Sequence, residues 1–134
     1  MPTEVTQALP AVPPPIVAVV DDDPAVRSSL KFSLELEGFS VRAYGSATEF
    51  IEDRPVQAAD CLVIDQRMPA MTGMELITKL RAQNISTPAI LIVSQPNVAI
   101  SARAAKIGVP VVEKPFLGNG LVEKIRHACR PDAD

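Results

Sequence analysis

Apolar residues gather in short clusters along this chain, and the clusters are of two alternating kinds. Ile16–Val20 (IVAVV), Cys61–Ile64 (CLVI) and Ala89–Val93 (AILIV) are unbroken apolar runs. Runs of this length bounded by polar residues are read as strands buried on both faces. Between them the apolar positions recur at helical spacing. A helix is predicted from Pro24 to about Glu37, with Val26, Leu30 and Leu34 on one face and Gly38 as its stop. Ser40–Tyr44 (SVRAY) alternates like a strand, and Ser46–Ile51 starts a short helix. Gly73 to about Ala82 is helical with Ile77 and Leu80 inward, and 97–107 is a helix closed by Gly108. Val109–Glu113 reads as a strand carrying Pro110. Asn119 to about Cys129 is the last helix, with Leu121, Val122, Ile125 and Ala128 inward.

Five strand–helix units in succession predict an α/β fold, a doubly wound parallel sheet with five helices covering both faces. Pro110 has no N–H for a ladder, which suits an edge strand. In such sheets ligands bind beyond the carboxyl ends of the strands, at the topological switch point. The residues that close strands therefore matter most: Asp21, Asp22 and Asp23, then Asp65, Ser94 and Lys114.

Composition narrows the function classes. The 134 residues fit one domain, placed at 16–130. Residues 1–15 hold five prolines and are expected to form a flexible Pro-rich tail, either a linker or a ligand for a proline-recognition domain. Residues 131–134 are expected to be disordered. Net charge is −3 with no Lys/Arg cluster, so no nucleic-acid partner is expected. Phe32, Phe39, Tyr44, Phe50 and Phe116 are not interleaved with basic residues, which argues against base stacking. No apolar run approaches a membrane span, and the N-terminus lacks the basic region of a signal peptide. Cys61 and Cys129 are read as reduced thiols of a cytoplasmic protein.

The chemistry lies at the strand ends. With the first and third strands as neighbours, Asp21 and Asp22 converge on Asp65. Like charges at such a site raise one another's pKa, and a hard divalent cation resolves the repulsion. The same acids also fit a set of solvated loop carboxylates. Lys114 adds an ammonium beside the crevice and Ser94 a hydroxyl, although each is as readily a surface charge and a turn former. Together, carboxylate, cation, ammonium and hydroxyl suit in-line phosphoryl transfer onto an aspartate.

The strings VVDDDPAVRSSL, LVIDQRMPAMTGMEL, ILIVS and VEKPF, in that order, resemble a response-regulator receiver domain. The likeness is nearest to nitrogen-fixation-type regulators, which carry a D-x-R-M-P loop, and it runs from Ile16 to the last helix. It implies a flavodoxin-like or receiver-like strand order 2-1-3-4-5. It implies Asp65 as phosphoacceptor and Mg²⁺ (or Mn²⁺) as cofactor. The cation would be held by Asp22, Asp65 and the backbone carbonyl of Arg67, with Asp21 acting through water. Ser94 matches the switch hydroxyl and Lys114 the phosphoryl-stabilising lysine, followed by a cis Lys114–Pro115 bond. Implied partners are a histidine kinase and, for output, a histidine phosphotransfer protein or a downstream effector protein, with the chain a monomer or weak dimer.

Two departures stand out. The position three before the lysine, commonly Tyr or Phe in receivers, is Val111, and the segment after Ser94 is short. The usual aromatic relay is therefore in question while the chemistry at Asp65 is intact. After the last helix no length remains for a DNA-binding output domain, so a stand-alone receiver is expected. Two rivals remain. A haloacid-dehalogenase-type phosphatase would need an acid two residues after its nucleophile, where this chain has Arg67. A receiver-like binding module would work without phosphorylation. His127 is read as a plain helix residue, and Met68, Met71 and Met74 as loop packing.

Overall fold

The computed structural model describes residues 13–53, 58–95, 97–114 and 120–129. Along them run β1 (Ile16–Val20), α1 (Pro24–Leu36), β2 (Ser40–Tyr44), α2 (Ala47–Glu52) and β3 (Cys61–Asp65). There follow α3 (Gly73–Ala82), β4 (Ala89–Val93), α4 (Val98–Lys106), β5 (Val111–Glu113) and α5 (Gly120–Cys129). All strand pairs are parallel, in the order β2-β1-β3-β4-β5. The doubly wound sheet expected from the alternating pattern is thus the observed one, with the implied strand order.

The central strands show why their sequences are uniformly apolar. Every residue of β3 and β4 is buried, because helices cover both faces of the sheet. Successive side chains point to opposite faces. Ala18, Val20, Leu62, Ile64 and Leu91 enter one apolar layer with residues of α2, α3 and α4. Val17, Val19, Val63, Ile90 and Ile92 enter the other, with Leu30 and Leu34 of α1 and Leu121 and Ile125 of α5. Edge strand β2 buries only Val41 and Tyr44. Cys61 and Cys129 are free thiols in the second layer, where the neighbouring Cys129 sulfur and burial hold the Cys61 thiol protonated.

Helix starts follow local chemistry. The Asp23 side chain accepts from the Ala25 N–H at 2.9 Å, and Pro24 occupies the first turn, where its missing N–H costs nothing. Thr72 and Glu75 form a reciprocal capping box on α3. Gly38 and Gly108, with φ of 99° and 71°, take the left-handed conformation just past α1 and α4.

Two boundaries differ from the sequence reading. Asn97 and Ile107 flank α4 as its caps and are not helical residues; the Asn97 side chain accepts from Ile100 N–H at 3.0 Å. The last strand begins at Val111, not Val109. Pro110 offers no N–H to the ladder, although its carbonyl still accepts from Leu91 N–H at 2.9 Å. The start of the last helix at Asn119, the Lys114–Pro115 bond, tail residues 1–12 and residues 131–134 lie outside the described residues.

Candidate functional site

Register brings the acids together. Val20 pairs with Ile64 across β1 and β3, so the residues that follow, Asp21 and Asp65, leave the sheet side by side. Asp21 and Asp65 are buried, the two buried charged side chains among the described residues, while Asp22 is exposed. Each of the three offers one carboxylate oxygen, and these oxygens lie within 4.8 Å of one another. Asp23 points elsewhere, to its cap on α1, so the run of three acids divides into two site residues and one structural one.

Hydrogen bonds hold Asp21 firmly. Its N–H donates to Tyr44 O at 3.1 Å, and its Oδ1 accepts from Asp23 N–H at 2.9 Å. Lys114, one residue past β5, brings its Nζ to 3.5 Å from Asp21 Oδ2 and 3.3 Å from Asp65 Oδ1. The second contact is an ion pair without hydrogen-bond alignment, so the buried Asp65 Oδ1 has no hydrogen-bond partner among the described residues. Burial and the neighbouring Asp21 charge push the Asp65 carboxyl up to about 6, against the pull of Lys114. For Lys114, burial works to lower the pKa, but Asp65 and Asp21 outweigh it and raise it.

A crevice of about 410 Å³ opens over these groups, lined by the three aspartates at 21–23 and by Asp65, Arg67, Met68, Pro69, Ser94 and Lys114. Every residue singled out for phosphoryl chemistry therefore meets in one place. Val111 does not line it; it packs, partly buried, against the layer under α2, α3 and α4. His127 lies on α5 beside a different groove, with Lys124 and Pro88. Met68 and Met74 are buried and Met71 packs on the same layer, as loop packing requires.

The loop after Asp65 is shaped by backbone constraints. Ala70 sits at φ 70°, a left-handed conformation that disfavours a side chain by roughly 1–2 kcal/mol. Gly73, at the start of α3, lies directly on the strand end. A Cβ there would come within 2.5 Å of Asp65 O and 2.8 Å of Leu91 Cδ1. The Gly73 N–H donates to Gln66 O at 3.1 Å, and Gln66 Oε1 accepts from Met74 N–H at 2.8 Å. Gln66, and Arg27, whose Nη1 donates to Asp21 O at 2.8 Å, border the site and were missed by the sequence reading. Both act on main-chain atoms, which no side-chain pattern announces.

Three carboxylates converging on an orphaned buried oxygen fit a hard divalent cation with oxygen ligands. The lysine beside them fits the oxygens of a phosphoryl group.

Comparison with known proteins identifies the family. Residues 17–126 match the family model of the response regulator receiver domain. The transcriptional regulatory protein FixJ of Bradyrhizobium diazoefficiens is 36% identical over 115 residues, covering 85% of this chain and 56% of that protein. FixJ of Rhizobium meliloti is 39% identical over 113 residues, covering 84% of this chain and 55% of its own. The chain thus spans just over half the length of these relatives. The crystal structure of FixJ-N superposes with a TM-score of 0.80 at 36% identity, covering 89% of this chain and 96% of that one. With family model, sequence identity and superposition in agreement, the chain belongs to the response-regulator receiver domain family.

Proposed function

We propose that Asp65 accepts a phosphoryl group from a histidine kinase, with Mg²⁺ (or Mn²⁺) in the acid cluster. Receiver domains bind Mg²⁺ in an acidic pocket and are phosphorylated by histidine kinases. The observation that carries the reading here is Lys114, whose Nζ lies 3.5 Å from Asp21 and 3.3 Å from Asp65, over a buried carboxylate oxygen that lacks a hydrogen-bond partner.

In this reading Asp22, Asp65 and the Arg67 carbonyl hold the cation, and Asp21 acts on it through water. The bound cation supplies positive charge to the phosphoryl oxygens. An Asp65 carboxylate oxygen attacks phosphorus in line, the P–N bond to the donor imidazole breaks, and its electron pair stays on nitrogen. Since the Asp65 carboxyl lies near 6, the ionised nucleophile predominates at neutral pH and no base is needed to deprotonate it. Lys114 and the Ser94 hydroxyl then face the oxygens of the new acyl phosphate.

The product carries about −1.5 to −2 charges at Asp65. A partner reads that charge through the loop after Ser94 and α4, or receives the phosphoryl group onward on a histidine. Val111 stands at the switch position and offers no large ring to relay the change. The domain works in the cytoplasm as a signalling acceptor and turns over no external substrate.

Incubation with acetyl phosphate and Mg²⁺ is expected to give a hydroxylamine-labile adduct, read by intact mass, that Asp65→Asn abolishes. No adduct from any phosphodonor, or an adduct untouched by Asp65→Asn, contradicts the proposal.

A further inference from the structure

Arg27 is a second cation at the acidic end of the sheet, and the phosphoryl chemistry above makes no use of it. It lies in the first turns of α1, partly buried, and its Nη1 donates to the main-chain oxygen of Asp21 at 2.8 Å. Among the described residues none of the ion pairs involves Arg27. Its guanidinium is aimed at a peptide, not at a carboxylate. Gly45, just after β2, forms the seat: a Cβ there would stand 3.1 Å from Arg27 Nη1 and 3.5 Å from its Cζ.

The bond matters because of which peptide it grips. Asp21 is already held at its N–H by Tyr44 O and at Oδ1 by Asp23 N–H. Its carbonyl belongs to the peptide plane shared with Asp22, whose side chain is exposed. An exposed carboxylate has no packing to hold it, so the plane of its backbone, by setting the direction of the Cα–Cβ bond, decides which region the carboxylate can reach. Charged donors to main-chain carbonyls form the stronger class of hydrogen bond.

We propose that Arg27 is a positioning residue for the cation site: by clamping the Asp21 carbonyl it fixes the Asp21–Asp22 peptide and directs the Asp22 carboxylate at the cation. The proposal rests on the reading of the acid cluster as a Mg²⁺ site. It makes a prediction of unusual sign. A guanidinium repels a divalent cation, so if only its charge acted, removing it would tighten Mg²⁺ binding. If it positions Asp22, removing it weakens Mg²⁺ binding, as loss of outer-shell partners does elsewhere.

The test is calorimetric titration of the unphosphorylated full chain with MgCl₂. Arg27→Met keeps the aliphatic stem and should weaken Mg²⁺ about 10-fold or more. Gly45→Ala leaves Arg27 in place but crowds its guanidinium, and should weaken Mg²⁺ in the same direction. The double variant should be no worse than Arg27→Met, since both act through one bond. Unchanged or tighter binding in Arg27→Met, or losses that add in the double variant, overturns the proposal. Should Arg27→Met fail to fold, Gly45→Ala decides alone, and unchanged affinity there overturns it equally. A wild-type chain that takes up no Mg²⁺ would instead remove the metal reading itself, and the positioning role with it.

Discussion

Asp65 holds its carboxylate where burial and Asp21 favour the neutral form, moving it from an ordinary 3.8 to about 6. The folded chain therefore binds this proton more tightly than the unfolded chain does. Stability from this group is full below about pH 4, falls as pH rises through the interval up to about 6, and above that the penalty is complete, up to about 3 kcal/mol. Asp65→Asn removes the charge while nearly keeping the shape. In EDTA at neutral pH the variant should melt several degrees above wild type, at roughly 4 °C per kcal/mol. Its advantage should shrink as pH falls toward 4. Added Mg²⁺ should raise the wild-type melting temperature by mass action and move the variant far less. A variant that melts below wild type in EDTA across this range would refute the assignment of the strain to Asp65. The acids themselves were readable in sequence because they interrupt apolar runs. The buried state of Asp21 beside an exposed Asp22 was not, since identical letters acquire different surroundings only through strand register. Arg27 stayed hidden for a related reason: its partner is a carbonyl.

Elements are positioned by their ends, and α3 is the clearest case. It buries Gly73, Met74, Leu76, Ile77 and Leu80, and its capping box satisfies N–H groups that would otherwise be orphaned. Its first residue lies against the backbone of Asp65, which explains a glycine at a position where alanine is otherwise the better helix former. Gly73→Ala places a Cβ 2.5 Å from Asp65 O, and a carbonyl at a strand end cannot rotate away as a side chain can. Overpacking of this kind typically destabilises by about 1–3 kcal/mol, more than the propensity gain. Urea unfolding should show a net loss of about 1–2 kcal/mol, and acetyl phosphate labelling should slow because Asp65 is displaced. Higher stability with an unchanged labelling rate would mean that the helix start yields freely. The helix itself was legible from Ile77 and Leu80 at helical spacing. The start of β5 was misread because Val109 to Val112 is nearly continuous apolar sequence. Ladder bonding, which Pro110 cannot donate to, set the boundary instead.

Across the whole molecule the helices are anchored unequally. α1 buries Leu30 and Leu34, α5 buries Leu121 and Ile125, and α3 buries five residues, whereas α4 buries Ala104 alone. Val98 at its start is 86% exposed, and its N-terminal end directly follows the loop that carries Ser94 into the crevice. A helix with few buried apolar contacts opens locally at little free-energy cost. The element nearest the proposed phosphoryl site on the β4 side is thus also the one least tied to the core. A charge added at Asp65 can bias such an element without deforming the two apolar layers, whose close packing resists small displacements. Hydrogen exchange should show α4 amides exchanging faster than those of α1 and α3 in the unphosphorylated chain. Acetyl phosphate with Mg²⁺ should change protection chiefly over residues 94–106, with little change in α1 and α3. The same donor applied to Asp65→Asn should leave α4 as it was. Uniform changes across all helices would instead indicate that phosphorylation acts through global stability, and α4 would lose its place as the responsive element.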